Sequence, residues 1–502
     1  MIRDLRRLAG ATHDLIVVGG GLHGACIAWD ASLRGLRVAL IERDDFGAAT
    51  SGNSLRIVHG GLRYLARGDL RRMRESIRER STLLRIAPTL VQPLPVLVPT
   101  SGMGTHGRVA MAAALRLNDA FSHDRNQGLD PAHRLADGRL VPLDECRSLF
   151  PAFPSAGATG GALWHDARLT HPEGLTLALL RSAAQQGALV ANHCAMDRIL
   201  TAGGAIEGVA ATDRLQGGRV EIRGRAVVVA AGPWTPALCG AEPSGGSYAF
   251  ALNLELGRRL AEVAVGVRAL TGAADDPVIG GRRFLFLNPQ GRTTLLGTWY
   301  APAEGRSETE LVALGGAALL EEVRAACPAL DLDGADVVGY QWGWLPLKAG
   351  REPGRPTALA DRPRVMDHGE AGGIRRMFSV EGVKFTTARR VAEQVTDRVV
   401  AALGRPPERC RTAEILLDAG EALDAGLEAS VRRAIREEMA ARLPDVLRRL
   451  EPRLREDQGT TLETVARLAA VELGWTEHRK EVEIQALTRV AGSPGFAPEP
   501  AA

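Results

Sequence analysis

The sequence predicts an α/β protein built on a Rossmann-like dinucleotide-binding unit near its start, and two observations carry this prediction. The first is an apolar run at residues 15–18, followed at once by G-x-G-x-x-G, a helical stretch and a second apolar run that ends in Glu42. Strand, glycine turn, helix, strand and acid in this order are typical of a βαβ unit. The second is another fully apolar strand, residues 226–230, which leads into Ala231-Gly232-Pro233-Trp234.

Each position of the glycine turn has a predicted role. Gly19 permits the tight turn, Gly21 lets a pyrophosphate approach the backbone, and Gly24 lets the helix pack against the strand. The N-terminus of the following helix would face the phosphates with free N–H groups. Glu42 is placed to accept hydrogen bonds from a ribose.

The segment after Glu42 distinguishes a flavin from a nicotinamide. A plain NAD domain would continue with another helix and strand, whereas residues 44–58 are rich in small and hydroxyl side chains and lead into His59-Gly60-Gly61-Leu62-Arg63-Tyr64. Small residues let the backbone approach a flat ligand, and hydroxyl groups can bind a diphosphate and a ribityl chain.

This stretch resembles the FAD-dependent glycerol-3-phosphate dehydrogenases, a family within the D-amino-acid-oxidase-like flavoproteins, whose first unit ends in a similar A-T-S…H-G-G-L-R-Y-L. Residues 382–389, Gly-Val-Lys-Phe-Thr-Thr-Ala-Arg, are similar to the family's G-[GV]-K-[LF]-T-T-x-R. The likeness covers nearly the whole chain. It implies FAD as cofactor, an FAD-binding domain of the GR2 type, an antiparallel-sheet substrate domain and a C-terminal helical domain.

The resemblance also implies a division of the chain. The discontinuous FAD-binding domain would comprise residues 1–100, 155–240 and 350–405. The substrate domain would comprise residues 101–154 and 241–349, and the helical domain residues 410–495.

Site residues follow from the motifs and from the resemblance. Oxidation of an alcohol needs a base for the departing proton, and His59 is the candidate because its loop is expected beside the cofactor. The resemblance adds Arg63, Lys384 and Arg362 as residues that act on the substrate or beside the flavin. The predicted FAD-binding residues are Gly19, Gly21, Leu22, His23, Gly24, Glu42, Arg43, Thr50, Ser51, Arg56, His59, Gly60, Gly61, Gly232, Gly382, Lys384, Phe385 and Thr386.

The chain departs from the family where the substrate phosphate is expected. The family carries G-V-R-P where this chain has Gly343-Trp344-Leu345-Pro346, so the phosphate-binding arginine is replaced by Leu345. Loss of a guanidinium removes the natural bidentate partner of a phosphate. Arg362 matches a second family arginine, Lys348 and Arg258 are candidates for partial compensation, and Trp299, Tyr300 and Trp344 are expected to make the pocket more aromatic.

These observations favour an FAD-dependent dehydrogenase that takes a hydride from a secondary alcohol, glycerol 3-phosphate or a related polyol, and passes electrons to a quinone or another acceptor. Two alternatives stay open: an oxidase or dehydrogenase of an amine or a 2-hydroxy acid, and a flavin-binding protein without catalysis.

Composition limits the partners and the compartment. A formal charge of +3 gives no reason to expect a nucleic-acid partner. The six cysteines contain no C-x-x-C pair, which argues against a disulfide framework and against a zinc site. We expect no metal. With no signal peptide and no apolar run of about 20 residues, the protein is expected in the cytoplasm or peripherally on the inner face of the membrane. The resemblance is compatible with a homodimer and with contact to a membrane surface.

Overall fold

The computed structural model describes residues 1–65, 67–154, 157–240, 248–269, 283–302, 305–348, 358–419, 426–456 and 459–491. The chain forms two compact units. The first comprises Met1–Asn53, His171–Gly245 and Ala360–Ala502, and the second comprises Ser54–Thr170 and Gly246–Leu359.

The strands are, in chain order, β1 Thr12–His13, β2 Leu15–Val18, β3 Val38–Ile41, β4 Ile57–Val58, β5 Val91–Ser101, β6 Arg139–Val141, β7 Ala158–Leu169, β8 Leu189–Ala191, β9 Cys194–Ala202, β10 Ala205–Asp213, β11 Arg219–Gly224, β12 Val227–Val229, β13 Tyr248–Leu256, β14 Ala264–Arg268, β15 Phe284–Gln290, β16 Thr293–Pro302, β17 Val337–Pro346, β18 Arg364–Asp367 and β19 Met377–Glu381.

The α-helices are α1 Leu5–Ala9, α2 Leu22–Leu33, α3 Leu62–Leu65, α4 Leu70–Ile86, α5 Arg108–Phe121, α6 Leu143–Leu149, α7 Pro172–Gln185, α8 Thr235–Leu238, α9 Glu308–Ala326, α10 Ala388–Ala402, α11 Leu427–Arg436, α12 Leu443–Glu456, α13 Leu462–Leu473 and α14 Glu477–Ala491. Side-chain caps explain several helix starts. Asp69 accepts from the N–H of Arg72 at the start of α4, and Ser307 and Glu310 form a capping box at the start of α9.

The first unit contains the predicted α/β fold. Its six-stranded sheet has the order β18-β19-β12-β2-β3-β8 and is parallel except for β18. The residues of β2 and β3 are all buried, as expected for strands covered on both faces. A four-stranded sheet, β1-β11-β10-β9, shares a core with this sheet, in which Ile16 packs with Val209 and Ile222.

The C-terminal helices α11 to α14 share an apolar core of their own that includes Val431, Leu443 and Val465. This confirms the helical C-terminal region, although these residues fall in the same compact unit as the parallel sheet.

A buried ion pair fixes α12 to the loop after β3. Arg449 donates two hydrogen bonds to the carboxylate of Asp45, one of them 2.8 Å long, and both side chains are only 1% exposed. Burial alone would lower the pKa of Arg449, but the charge of Asp45 and of nearby carboxylates raises it. His193 and Asp445, 2.8 Å apart, lie beside this pair.

The second unit is organised around a nine-stranded sheet with the order β17-β13-β16-β15-β14-β5-β7-β4, with β6 paired to β7. One face packs against α9 through a core that includes Leu252, Leu285 and Leu319. The other face carries a smaller cluster that includes Val96, Trp164 and the α5 residue Leu115.

The strand pairing changes one of the sequence expectations. Residues 54–100 and 158–169 were assigned to the FAD-binding domain, but β4, β5 and β7 pair within the sheet of the second unit. Within the same sheet, β15 continues through Pro289 to Gln290. Pro289 is tolerated there because the pairing of β15 with β14 ends at Leu287, so the ladder on that side does not need its N–H.

We predict that Arg449→Met lowers the free energy of unfolding by about 3–5 kcal/mol, because it leaves the Asp45 carboxylate buried without its partner. Urea denaturation measures this. The matched control is Arg409→Met, which breaks an ion pair to Glu414 whose side chains are 75% and 51% exposed and should cost about 1 kcal/mol or less. Equal stability of the two variants would contradict the prediction.

Candidate functional site

The glycine turn between β2 and α2 is the first part of the candidate site. Gly19 has a φ of +109°, which favours glycine. A Cβ on Gly24 would overlap the carbonyl oxygen of Gly19, and one on Gly21 would lie 3.0 Å from the hydroxyl of Ser51. The turn therefore depends on glycine for its packing, and its backbone is open to the approach of a ligand.

Helix α2 begins within this turn, at Leu22. Its N-cap residue, Gly21, makes no side-chain capping bond. The N–H of Leu22 donates to Oγ of Ser51 over 3.0 Å, which ties the predicted hydroxyl-rich loop to the helix start. An α-helix N-terminus of this kind can hold a pyrophosphate through its N–H groups and its positive dipole end.

Glu42 lies at the end of β3, the neighbouring strand. Its two carboxylate oxygens accept the N–H of Gly20 over 2.6 Å and the N–H of Asp44 over 2.8 Å. Burial raises the pKa of Glu42, and these two hydrogen bonds act against that rise. Because each carboxylate oxygen has a further lone pair, Glu42 can also accept ribose hydroxyl groups.

The carboxyl ends of β12 and β19 complete this edge of the parallel sheet. After β12, Gly232 has a φ of +56°, and the guanidinium of Arg43 lies 4.3 Å from the centre of the Trp234 ring. After β19, Gly382 packs so closely on the imidazole of His23 that a Cβ there would overlap the ring.

His23 supplies an observation that suits a bound cofactor. Its Nε2 atom is buried and has no hydrogen-bond partner among the residues that the structure describes. Burial lowers the pKa of His23 to about 4, so the imidazole is neutral at pH 7. A buried polar atom without a partner costs free energy unless a ligand or water satisfies it. The glycine turn, the acid and this imidazole together fit a dinucleotide such as FAD.

Lys384, Phe385 and Thr386 lie in the loop between β19 and α10. Thr386 is buried and Lys384 is half-buried. Thr387 is the N-cap residue of α10 and makes no side-chain capping bond. Arg362 is exposed in the segment that precedes β18.

The second unit holds the other group of predicted residues. Nδ1 of His59 lies 3.1 Å from Oδ2 of Asp166, and the N–H of Gly60 donates to Oδ1 of Asp166 over 2.6 Å. Arg80, almost fully buried, donates to the same Oδ1 over 2.9 Å. Sequence reasoning identified neither Asp166 nor Arg80, because their contacts depend on the pairing of β4 with β7.

Arg63 and Arg56 have different surroundings. Arg63 is exposed, lies over the ring of Tyr64 at 5.3 Å from its centre, and has no carboxylate partner among the described residues. The side chain of Arg56 is buried and donates to the carbonyl of Thr170 over 3.2 Å.

Leu345 and His59 lie over the same face of the nine-stranded sheet. His59 contacts the ring of Phe286, with 5.9 Å between ring centres. Phe286 on β15 is paired with Gly297 on β16, Gly297 with Asn253 on β13, and Asn253 with Gln341 on β17. Directly paired residues of neighbouring strands lie on the same face of the sheet. Since side chains alternate along a strand, Gln341, Gly343 and Leu345 share this face.

The same alternation corrects two expectations about the pocket. Trp299 and Trp344 point to the opposite face, where Trp299 packs on Gly315 of α9 and Trp344 donates to Glu308 over 3.1 Å. Only Tyr300, opposite Ala251, lies on the Leu345 face. Arg258 also does not replace the missing guanidinium, because it pairs with Asp336 at 3.0 Å and donates to the carbonyl of Leu330. Lys348 is exposed after the end of β17.

Comparison with known proteins agrees with this geometry. The family model described as FAD dependent oxidoreductase matches residues 14–398. A glycerol-3-phosphate dehydrogenase of Synechocystis is 30% identical over 444 residues, 86% of this chain and 77% of the relative. Glycerol-3-phosphate dehydrogenase 1 of Mycobacterium tuberculosis is 33% identical over 426 residues, 82% of this chain and 78% of the relative.

A solved structure shares the fold. The X-ray structure of the glycerol-3-phosphate dehydrogenase from Bacillus halodurans complexed with FAD superposes with a TM-score of 0.68, covering 99% of this chain and 98% of that chain at 21% identity.

The chain therefore belongs to the FAD-dependent oxidoreductase family. Within this family it is an oxidoreductase of the glycerol-3-phosphate dehydrogenase type, with FAD as its cofactor. Among the described helices, none combines the length and the apolar character needed to cross a bilayer.

We predict that Gly24→Ala abolishes FAD retention, because the added methyl group would push α2 away from the Gly19 carbonyl. The measurement is the FAD-to-protein ratio of purified protein, with circular dichroism to confirm folding. Gly334→Ala is the matched control, since a Cβ there meets nothing within 4 Å. Folded Gly24→Ala protein that keeps one FAD per chain would refute the prediction.

Proposed function

We propose that this protein oxidises a small secondary alcohol, with His59 accepting the hydroxyl proton. The supporting observation is the arrangement of His59, whose Nδ1 lies against the Asp166 carboxylate while 47% of its side chain remains exposed. Bound FAD supplies the hydride acceptor. A histidine with one nitrogen anchored by a carboxylate and the other available is suited to take a proton.

We propose that the dinucleotide lies along the edge formed by Gly19, Gly21 and Gly24, with its pyrophosphate at the start of α2 and a ribose on Glu42. The fit of the glycine turn and the unsatisfied Nε2 of His23 support this placement. Lys384 is proposed to act beside the flavin ring, where a cation stabilises the negative charge gained on reduction.

Phosphate esters are proposed to be poor substrates. The position that the family uses for its phosphate-binding arginine is Leu345, which shares the sheet face of His59, and Arg258 is engaged with Asp336. An apolar side chain cannot offer the two parallel N–H donors that grip a phosphate.

A second candidate substrate is a 2-hydroxy acid. Arg63, four residues after His59, carries a guanidinium that no described carboxylate neutralises. It could hold a single carboxylate group. Anaerobic bleaching of the bound flavin by glycerol 3-phosphate, by neutral polyols, by amino acids and by 2-hydroxy acids separates these possibilities. Flavin that none of these compounds bleaches would count against the proposed function.

We propose that α5 contacts an anionic lipid surface, from which a quinone would be reached. Val109 is 86% exposed and Leu117 is 48% exposed on the same side of the helix, and Met103 just before the helix is fully exposed. The exposed Arg108 and Arg116 flank them, as in helices that bind anionic lipid through an apolar face with basic flanks.

The homodimer stays a prediction from the sequence.

Leu345→Arg should raise kcat/KM for glycerol 3-phosphate by about one to two powers of ten, since a partly buried charge-assisted pair contributes roughly 1.5–3 kcal/mol. Anaerobic flavin reduction measures the change. Val338→Arg adds the same charge to β17 at a 61% exposed position and should leave the rate unchanged. If the native protein already matches Leu345→Arg, Leu345 does not limit phosphate binding.

The double substitution Val109→Asp with Leu117→Asp should abolish co-sedimentation with phosphatidylglycerol vesicles, because it places two negative charges on the proposed lipid face. Val471→Asp, at a 73% exposed position on α13, is the control and should bind like the native protein. Native protein that stays in the supernatant, or a double variant that still pellets, would rule out this surface.

A further inference from the structure

Asp166 is a buried carboxylate whose two oxygens have separate tasks. Oδ2 faces Nδ1 of His59 at 3.1 Å, while Oδ1 accepts the N–H of Gly60 and the guanidinium of Arg80. The side chain of Asp166 is 6% exposed and that of Arg80 is 2% exposed. The carboxylate is therefore held from behind by a backbone amide and a buried cation, with one oxygen left for the imidazole.

The charge of Asp166 decides which nitrogen of His59 carries the hydrogen. Burial would raise the pKa of Asp166, but the hydrogen bond from His59, the charge of Arg80 and the hydrogen bond from Gly60 hold it below its usual value. An ionised carboxylate only accepts hydrogen bonds, so Nδ1 of a neutral His59 must be the donor and Nε2 must carry the lone pair.

We propose that Asp166 is the positioning residue of the reaction, which holds His59 in the tautomer whose Nε2 accepts the substrate proton. This rests on the proposed function of His59. The O–H bond of the alcohol breaks and its proton passes to Nε2, while the carbon gives up a hydride to the flavin and becomes a carbonyl carbon. The doubly protonated imidazole then lies beside a carboxylate that stabilises its charge, and it returns the proton to solvent.

Two neighbours contact the ring of His59, the carboxylate of Asp166 and the ring of Phe286. Phe286 meets the imidazole edge-on at an interplanar angle of 60°. On the other side of the carboxylate, Arg80 also donates to the carbonyl of His165 over 2.8 Å, which fixes the strand that bears Asp166. Gly60 must be glycine, because a Cβ there would overlap the guanidinium of Arg80. The contacts of Asp166, Arg80 and Phe286 thus act together to position Nε2 of His59.

The test is Asp166→Asn in the holoenzyme. The amide oxygen can keep the bonds from Gly60 and Arg80, so the NH₂ group faces Nδ1 and favours the opposite tautomer, with the hydrogen on Nε2. Flavin reduction by glycerol, a neutral polyol with a secondary alcohol, in anaerobic stopped flow should slow by about 100-fold or more, with an unchanged concentration dependence. The ¹⁵N chemical shifts of His59 should report the tautomer change directly.

Two further variants separate this role from a structural one. Glu322→Gln removes a carboxylate of similar burial, paired with Arg283 at 2.6 Å, and should leave the rate and the His59 tautomer unchanged. Asp166→Asn combined with Arg80→Met removes the buried charge that the single substitution leaves unpaired. It should fold and still reduce the flavin slowly.

The outcomes are distinct. A His59 that keeps its hydrogen on Nδ1 in folded Asp166→Asn protein, or a rate within a few-fold of native, overturns the role of Asp166. If His59→Gln reduces the flavin as fast as native protein, the proposed function of His59 fails instead. The tautomer measurement still reports on Asp166 in that case, because it requires no turnover.

Discussion

The close approach of helix α2 to the end of strand β2 is the constraint on which the edge proposed to hold the dinucleotide depends. It exists because Gly24 has no Cβ to meet the carbonyl of Gly19 and because Gly19 accepts a positive φ. Once this turn is closed, Gly20 lies within hydrogen-bond distance of Glu42, and the hydroxyl of Ser51 reaches the first N–H of the helix. A single steric condition thus brings together the residues that can hold phosphate and ribose.

Buried carboxylates perform the corresponding task away from this turn. Asp166 in the second unit and Asp45 in the first are both held by a nearly inaccessible arginine. Isolated charges would not persist in such surroundings, but a charge that is fully paired fixes the geometry of whatever it touches. In one case it is an imidazole. In the other it is the loop that continues from β3 past Glu42.

Much of the fold could be predicted from the sequence because its signals are local. The apolar runs, the glycine spacing and Glu42 lie within one βαβ unit. The spacing of apolar residues indicates the helical C-terminal region. Asp166 could not be predicted, because it reaches His59 only through the pairing of β4 with β7, where Val58 is opposite Ala167. The alternation of β17 was readable, and it would have placed Trp344 on the opposite face from Leu345. The face of Trp299 could not be read in this way, because it depends on the pairing of β16 with β13.

The ion pair between Asp45 and Arg449 joins residues 404 positions apart in the sequence. During synthesis the strand and glycine turn emerge early, but the loop after β3 gains its buried partner only when α12 has left the ribosome and packed. Phe46 lies in that loop directly against Gly20. The order of translation therefore delays completion of the edge proposed to hold the dinucleotide until the last helices have docked.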